Sequence, residues 1–188
     1  MTILLASYPK SGSTWVRAFI TNLILDRPAP ATLDEITNTP FIIGPTTPSP
    51  PTTGVTFRKT HDDRDPSSER HLSPDAVIYI ARPRDQIIPS YAAHLGWSIT
   101  RTAQLVRSEH PVHLESWINH VDFLIQYDRL PDQFYALADW LKAYFYIEGD
   151  PARAIRHSSF RILQADERQN GFAEASTHTP FFRKGPPQ

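Results

Sequence analysis

Several features that many proteins have are missing from this sequence of 188 residues. It contains no cysteine, which excludes a disulfide framework and favours a reducing compartment, so we expect a cytoplasmic protein. No apolar run approaches the ~18 residues of a membrane-spanning helix, and the first residues lack the basic region of a secretory leader. The formal net charge is -1, so the sequence lacks the excess of basic residues that a broad nucleic-acid-binding surface needs. These absences predict a protein with neither membrane nor nucleic acid as its partner.

The residues that are present indicate one α/β domain. A hydrophobic content of 40% is enough to bury a sizeable core in a single domain spanning 1–188. Short apolar runs alternate with stretches of helical spacing, which predicts a three-layer α/β/α fold around a mostly parallel sheet. The predicted strands are 3–6, 76–81 and 122–127, and the predicted helices are 12–25, 86–94, 104–119 and 133–146.

Residues 28–53 form a proline-rich segment that interrupts this alternation. Proline removes a backbone donor and clashes with the preceding helical turn, so a continuous helix is excluded and a long loop is expected. The segment leads directly into 55–61, which we interpret as a strand and its end. The segment is therefore either a plain connector or a wall of the site where an acceptor substrate binds.

The loop from Ser7 to Trp15 joins the first strand to the first helix and has the composition of an anion site. Gly12 allows a close backbone approach, and the unpaired N–H groups of the first helical turn attract negative charge. Lys10 adds a full positive charge, and the hydroxyl groups come from Ser11, Ser13 and Thr14. A phosphate or a sulfate is the expected ligand of this P-loop-like core.

The order of residues disfavours an ATP or GTP site. In a Walker loop the lysine follows the last glycine, whereas here Lys10 precedes Gly12. The strand 76–81 ends in Arg82, where a P-loop kinase usually has an aspartate that holds Mg²⁺. A P-loop kinase therefore stays only as an alternative.

Four blocks of the sequence resemble the cytosolic type of sulfotransferase, which uses 3'-phosphoadenosine 5'-phosphosulfate (PAPS). They are Tyr-Pro-Lys-Ser-Gly-Ser-Thr-Trp at 8–15, Lys-Thr-His at 59–61, a strand with Arg82 and Ser90 in register at 76–91, and Phe-x-Arg-Lys-Gly at 181–185. The resemblance implies sulfuryl transfer from PAPS to a hydroxyl or amine of a small organic or glycan acceptor, with no metal. His110, His113 and His120 do not complete a metal-ligand pattern.

The resemblance also assigns roles to individual residues. His61 is the expected general base, since an imidazole titrates near neutrality, and Lys10 and Lys59 would stabilise the transferred and leaving groups. The residues expected to bind the donor nucleotide are Ser11, Gly12, Ser13, Thr14, Trp15, Arg82, Ser90, Tyr127, Ser158, Phe160, Arg183, Lys184 and Gly185.

Three departures from the family pattern keep a second alternative open. The turn reads Arg82-Pro83-Arg84-Asp85, displaced by one residue from the usual arrangement, and the run from Trp117 to Tyr127 is short. The sequence also stops at Gln188, before the Gly-x-Trp segment that normally follows, so 177–188 is a tail with only the start of the 3'-phosphate motif. A non-catalytic module that binds adenosine 3',5'-bisphosphate is therefore the other alternative. The acceptor, whether phenol, glycan or secondary metabolite, is not specified by these patterns.

Overall fold

The computed structural model describes residues 1–38, 41–42, 54–65, 73–177 and 179–183. Its strands are β1 (Thr2–Ser7), β2 (Phe41–Ile42), β3 (Thr56–Thr60), β4 (Ala76–Ala81) and β5 (Phe123–Gln126). Its helices are α1 (Ser13–Leu25), α2 (Leu33–Asn38), α3 (Arg84–Leu95), α4 (Ile99–Ile118), α5 (Gln133–Phe145), α6 (Pro151–His157) and α7 (Phe160–Asn170), with a 3-10 turn at Tyr127–Arg129.

The five strands form one parallel sheet in the order β2-β3-β1-β4-β5. The first strand lies at the centre, with Leu5 opposite both Lys59 of β3 and Ile78 of β4. Because the strands are parallel, the carboxyl ends of β1, β3 and β4 meet at one edge of the sheet, which is where ligands bind in open α/β sheets. The loop after Ser7, His61 and Arg82 therefore start from neighbouring points.

Helices cover both faces of the sheet, as the sequence predicted. Alternate residues of β1 point to opposite faces. Ile3 and Leu5 pack in a cluster with Phe19 of α1 and Phe134 of α5, whereas Leu4 and Ala6 pack in a cluster with Trp117 of α4. The architecture is a three-layer α/β/α fold.

The structure corrects the prediction of an uninterrupted loop at 28–53. The helix α2 lies at its start, where Glu35 accepts hydrogen bonds from the backbone N–H and hydroxyl of Thr32 and forms an ion pair with Arg27. The short strand β2 pairs with β3 at the edge of the sheet. Prolines at the ends of such elements do not remove a needed donor, which is why the proline content did not exclude them. Residues 39–40 and 43–53 lie outside the described part of the chain.

The structure also changes several predicted element boundaries. Helix α4 starts at Ile99 rather than at 104 because Ser98 is its N-cap and accepts from the backbone N–H of Arg101. Helix α3 starts at Arg84, directly after Pro83. The strand β5 is an edge strand in which only Ile125 is buried, not the core strand that its apolar sequence indicated.

Two further helices were not predicted. Helix α6 is preceded by its N-cap Asp150, whose carboxylate accepts from the N–H groups of Ala152 and Arg153, and it starts with Pro151. This is a recognisable start signal. Helix α7 leads into residues 171–177 and 179–183, in which the Thr179 hydroxyl donates to the Ala93 carbonyl of α3. Among the described residues no helix is both long and apolar enough to cross a membrane.

Candidate active site

A cavity of about 670 Å³ lies at the carboxyl ends of β1, β3 and β4. Its volume is in the range of small-molecule sites. Twelve of the residues predicted from the sequence line it: Lys10, Gly12, Ser13, Thr14, Trp15, Lys59, His61, Arg82, Ser90, Tyr127, Phe160 and Arg183. The fold thus brings together side chains that are up to 173 positions apart in the sequence, from Lys10 to Arg183.

The loop after β1 has a backbone that few residues other than glycine adopt. Gly12 has a φ of 103°, and a Cβ built on it would lie 2.7 Å from Cδ2 of Tyr127. Lys10 has a φ of 65°, which is unusual for a residue with a side chain. The guanidinium of Arg82 donates to the Lys10 carbonyl oxygen at 2.7 Å, so β4 fixes this strained loop.

The ammonium of Lys10 lies inside the cavity rather than in solvent. It is 3.6 Å from the centroid of the Phe181 ring, a cation–π contact. Burial lowers the pKa of Lys10 to about 8, with Arg183 and Arg82 lowering it further and Glu174 opposing them. An anion beside this ammonium would favour its charged form.

Four residues form a buried ionic cluster, here called the Glu174 cluster: Thr14, Arg17, Lys59 and Glu174. One carboxylate oxygen accepts from Arg17 at 2.5 Å and from Lys59 at 3.3 Å, and the other accepts from the Thr14 hydroxyl at 3.2 Å. Burial raises the pKa of Glu174, but Arg17 and Lys59 outweigh it and hold that pKa below its usual range. The carboxylate is therefore ionised at neutral pH.

The geometry of His61 defines its tautomer. Its Nδ1 lies 2.7 Å from the carbonyl oxygen of Ser7, and a carbonyl can only accept, so Nδ1 carries the proton. Burial, together with the positive charge of Lys59, lowers the pKa of His61 to about 4. The ring is neutral at physiological pH, and its Nε2 is the atom that can take a proton.

Aromatic rings form a second wall of the cavity. The ring centroids of Trp15 and Tyr127 are 6.4 Å apart in an edge arrangement, and the indole Nε1 of Trp15 donates to the Ser158 carbonyl at 2.7 Å. The guanidinium of Arg82 lies 3.8 Å above the Tyr127 ring. These contacts fix Trp15 and Tyr127 in position, and Phe160 lines the same cavity. A flat apolar group could bind among them.

Ser90 and Arg183 line the cavity together with Arg82. Arg183 is exposed and donates to the Pro89 carbonyl at 3.3 Å, in the same helix as Ser90. Lys184 and Gly185, which were predicted to complete this site, lie outside the described residues. Arg82 is half-buried and held on two sides, so it is the better ordered of the two arginines.

Two predicted residues do not line the cavity. Ser158 is fully buried and its hydroxyl donates to the Ala154 carbonyl, so its contribution is the carbonyl that holds Trp15. Ser11 is also buried, and its hydroxyl has no hydrogen-bond partner among the described residues.

Sequence reasoning missed Glu174 and Arg17, and it named Phe181 only as the first residue of the block at 181–185, without a contact to Lys10. Glu174 and Phe181 come from the segment after α7, and no local pattern marks them as partners of Lys59 and Lys10. Arg17 is fully buried and one helical turn after Thr14, a spacing that places both on one face of α1. That spacing was the one feature of the sequence that could have indicated Arg17 as part of the site. Within the described ranges, no group of three or more histidine, aspartate or glutamate residues could hold a metal ion.

Solved structures with the same fold were found by comparison. A retinol dehydratase in complex with androsterone and the inactive cofactor PAP matches 98% of this chain and 73% of its own, with a TM-score of 0.63 and 17% identity. The fold is that of the sulfotransferases. A retinol dehydratase complex with retinol and PAP has a TM-score of 0.64 at 14% identity, covering 98% of this chain and 73% of that one.

A mouse sulfotransferase, SULT7A1, complexed with PAP has a TM-score of 0.56 at 19% identity, covering 98% of this chain and 75% of that one. No protein-family model matches the sequence, and no curated protein matches it. At these identities the similarity concerns the fold, and the chemistry has to be argued from the residues of the cavity.

Proposed function

We propose that this chain is a sulfotransferase that moves a sulfuryl group from PAPS to a hydroxyl or amine of a small organic or glycan acceptor. The observation that carries the proposal is the meeting of Lys10, Lys59 and His61 in one cavity at the end of the parallel strands. Two cations beside a neutral imidazole suit a reaction in which negative charge moves and one proton must be removed.

The cavity has an arrangement suited to a nucleotide with two anionic ends. We assign the adenine to the wall formed by Trp15, Tyr127 and Phe160. The 3'-phosphate is assigned to Arg82, Ser90 and Arg183, with Lys184 and Gly185 as further candidates. The 5'-phosphosulfate belongs, in this proposal, to Lys10 and to the residues Ser11, Gly12, Ser13 and Thr14.

An observation within the chain supports the fit of an anion at the phosphosulfate position. The carboxylate of Glu174 is held by the hydroxyl of Thr14 and the ammonium of Lys59, two groups that the proposal assigns to the phosphosulfate. Donors that hold a carboxylate with two oxygens can also hold a phosphate or sulfate oxygen. Ser11 lies within the same loop, and its hydroxyl, which has no partner among the described residues, is a further candidate donor although it does not line the cavity.

The residues of the cavity divide the chemistry between them. The acceptor oxygen forms a bond to sulfur while the bond from sulfur to the phosphate oxygen breaks, and the acceptor proton passes to Nε2 of His61. Lys10 stabilises the charge that appears on the leaving phosphate, and Lys59 stabilises the sulfuryl oxygens. The Ser7 carbonyl keeps the Nδ1 proton in place, which leaves Nε2 as the base.

The acceptor is proposed only as a class. Pro9, Tyr91, His94, Leu95 and Phe181 add apolar surface to the cavity, which favours a small organic molecule. Two of the solved structures with this fold are complexes with androsterone and with retinol, both small organic molecules. A glycan acceptor would make less use of this surface.

Binding measurements separate the proposal from its two alternatives. Adenosine 3',5'-bisphosphate should raise the melting temperature without Mg²⁺, and more than 5'-AMP or ATP does, because only the bisphosphate reaches the Arg82 end of the cavity. Turnover with PAPS and a panel of phenols and aliphatic alcohols should follow. Preference for ATP with Mg²⁺ would favour a kinase, and bisphosphate binding without any turnover would favour a non-catalytic module.

A further inference from the structure

The segment after α7 places both a carboxylate and an aromatic ring against the cations of the cavity. Glu174 contacts Lys59, and Phe181 lies against Lys10. Sequence motifs gave no reason to expect Glu174 there, and an acidic residue is opposite in charge to what an anion site needs. Its position therefore requires a separate explanation.

Glu174 uses the donors that the proposed donor nucleotide needs. The Thr14 hydroxyl belongs to the first turn of α1, the turn assigned to the 5'-phosphosulfate, and Lys59 is the cation assigned to the sulfuryl group. Both donate to the Glu174 carboxylate, at 3.2 Å and 3.3 Å. A phosphosulfate and an ionised carboxylate cannot share these donors without strong repulsion in a partly buried site.

Residues 179, 181 and 182 of this segment are fixed by contacts that do not involve Glu174. The carboxylate of Glu167 accepts from the backbone N–H groups of Phe181 and Phe182, and Gln164 donates to the Phe182 carbonyl. The Thr179 hydroxyl donates to the carbonyl of Ala93 in α3. Rotation of the Glu174 side chain away from Lys59 would therefore break none of these contacts.

We propose that Glu174 is a specificity-determining residue of the donor site: a built-in carboxylate that the phosphosulfate end of the nucleotide must displace from Thr14 and Lys59. The inference rests on the proposed function for the identity of the donor. A ligand anchored at its adenine and 3'-phosphate ends can displace the carboxylate, whereas a free anion has only its own charge with which to compete. The residue thus lowers the affinity for single anions such as inorganic sulfate.

The variant Glu174→Gln tests this because an amide keeps the size and hydrogen-bonding capacity of the side chain and removes its charge. The dissociation constant of adenosine 3',5'-bisphosphate, measured by calorimetry, should fall about tenfold, equivalent to ~1.4 kcal/mol. Inorganic sulfate should stabilise the variant at lower concentrations than it stabilises the parent protein. Adenosine 3'-monophosphate, which lacks the 5' anion, should bind both proteins within about twofold of each other.

Glu35→Gln is a matched control. Glu35 also forms an ion pair with an arginine, Arg27, at 2.6 Å, but it does not line the cavity. This variant should change none of the three affinities. A general effect of removing a paired carboxylate would appear in both variants.

Loss of the charge opposite the buried Arg17 could prevent Glu174→Gln from folding. The double variant Arg17→Met with Glu174→Gln removes both charges of the buried pair and is measured in its place if circular dichroism shows an unfolded single variant. The same gains for bisphosphate and sulfate are expected.

Two results with the nucleotides would overturn the proposal, and a third case is decided by sulfate. Weaker or unchanged bisphosphate binding would show that Glu174 holds Lys59 in position instead of competing for it. An equal gain for adenosine 3'-monophosphate would show an effect outside the 5' end. If no adenosine nucleotide binds the parent protein, the proposed function fails, and the sulfate measurement then decides about Glu174 by itself: a gain supports displacement and no gain refutes it.

Discussion

A Cβ atom built on Gly12 would lie 2.7 Å from Cδ2 of Tyr127. The glycine therefore serves two purposes, a positive φ in the loop and room for a ring that carries the guanidinium of Arg82 on its face at 3.8 Å. The loop between β1 and α1, the aromatic wall of the cavity and the arginine that follows β4 are in direct contact. A substitution at one of these positions should therefore displace the side chains at the others.

Gly12→Ala should destabilise the protein and weaken nucleotide binding, because the added methyl group meets a ring at less than van der Waals distance. Gly54→Ala is the matched control, since Gly54 also has a positive φ, of 64°, and no described atom lies within 4 Å of the position that its added methyl group would take. The control should lower the free energy of unfolding by only about 1 kcal/mol, the effect of placing a side chain at a positive φ. Chemical denaturation of both variants measures the difference, and equal losses would mean that Tyr127 moves aside freely.

His61→Ala should lower turnover by ~10² or more and leave the affinity for adenosine 3',5'-bisphosphate nearly unchanged. The reason is that the Nε2 atom acts on the acceptor proton and not on the nucleotide. Steady-state kinetics with a saturating acceptor, together with calorimetry, separate the two effects. His120→Ala, at an exposed position, is the control and should change neither turnover nor affinity. Near-normal turnover in His61→Ala would place the base elsewhere.

Nucleotide binding should weaken as the pH rises above about 8. Burial lowers the pKa of Lys10 to about 8, and a bound anion raises it again, so the affinity is complete below the pKa of the free protein and is lost above it. Calorimetry from about pH 7 to pH 10 should show this decline, and Lys10→Arg, whose charge persists, should flatten it. Burial also lowers the pKa of Lys59, so Lys59→Arg is measured in parallel. A decline that persists unchanged in Lys10→Arg would assign the titration to another group.

Arg82→Ala should weaken bisphosphate binding by more than tenfold, and Arg183→Ala by less, with tenfold equivalent to ~1.4 kcal/mol. Arg82 is held in advance by the Lys10 carbonyl and the Tyr127 ring, whereas Arg183 is exposed and must be ordered by the ligand. Calorimetry of the two variants gives the comparison directly. A larger loss in Arg183→Ala would show that the end of the chain is the main 3'-phosphate contact.

Local sequence signals and the order of the strands determined different parts of this fold. The loop between β1 and α1 could be predicted because a strand, a turn and a helix start lie within fifteen residues and each has its own local signal. The α/β architecture followed from the alternation of such signals along the chain. The strand β5 was assigned to the core from its apolar residues, but the strand order puts it at the edge, where only Ile125 is covered.

The sequence alone therefore determined which residues we propose for an anion site, since Lys10, Gly12 and Thr14 are close in the chain and Arg82 directly follows a strand. Only the tertiary structure decided what lies against them. The hydrogen bond from Thr14 to Glu174 spans 160 positions. Contacts of that separation depend on the path of every helix in between, and a lone glutamate in an irregular segment carries no periodicity or spacing from which its partner could be inferred.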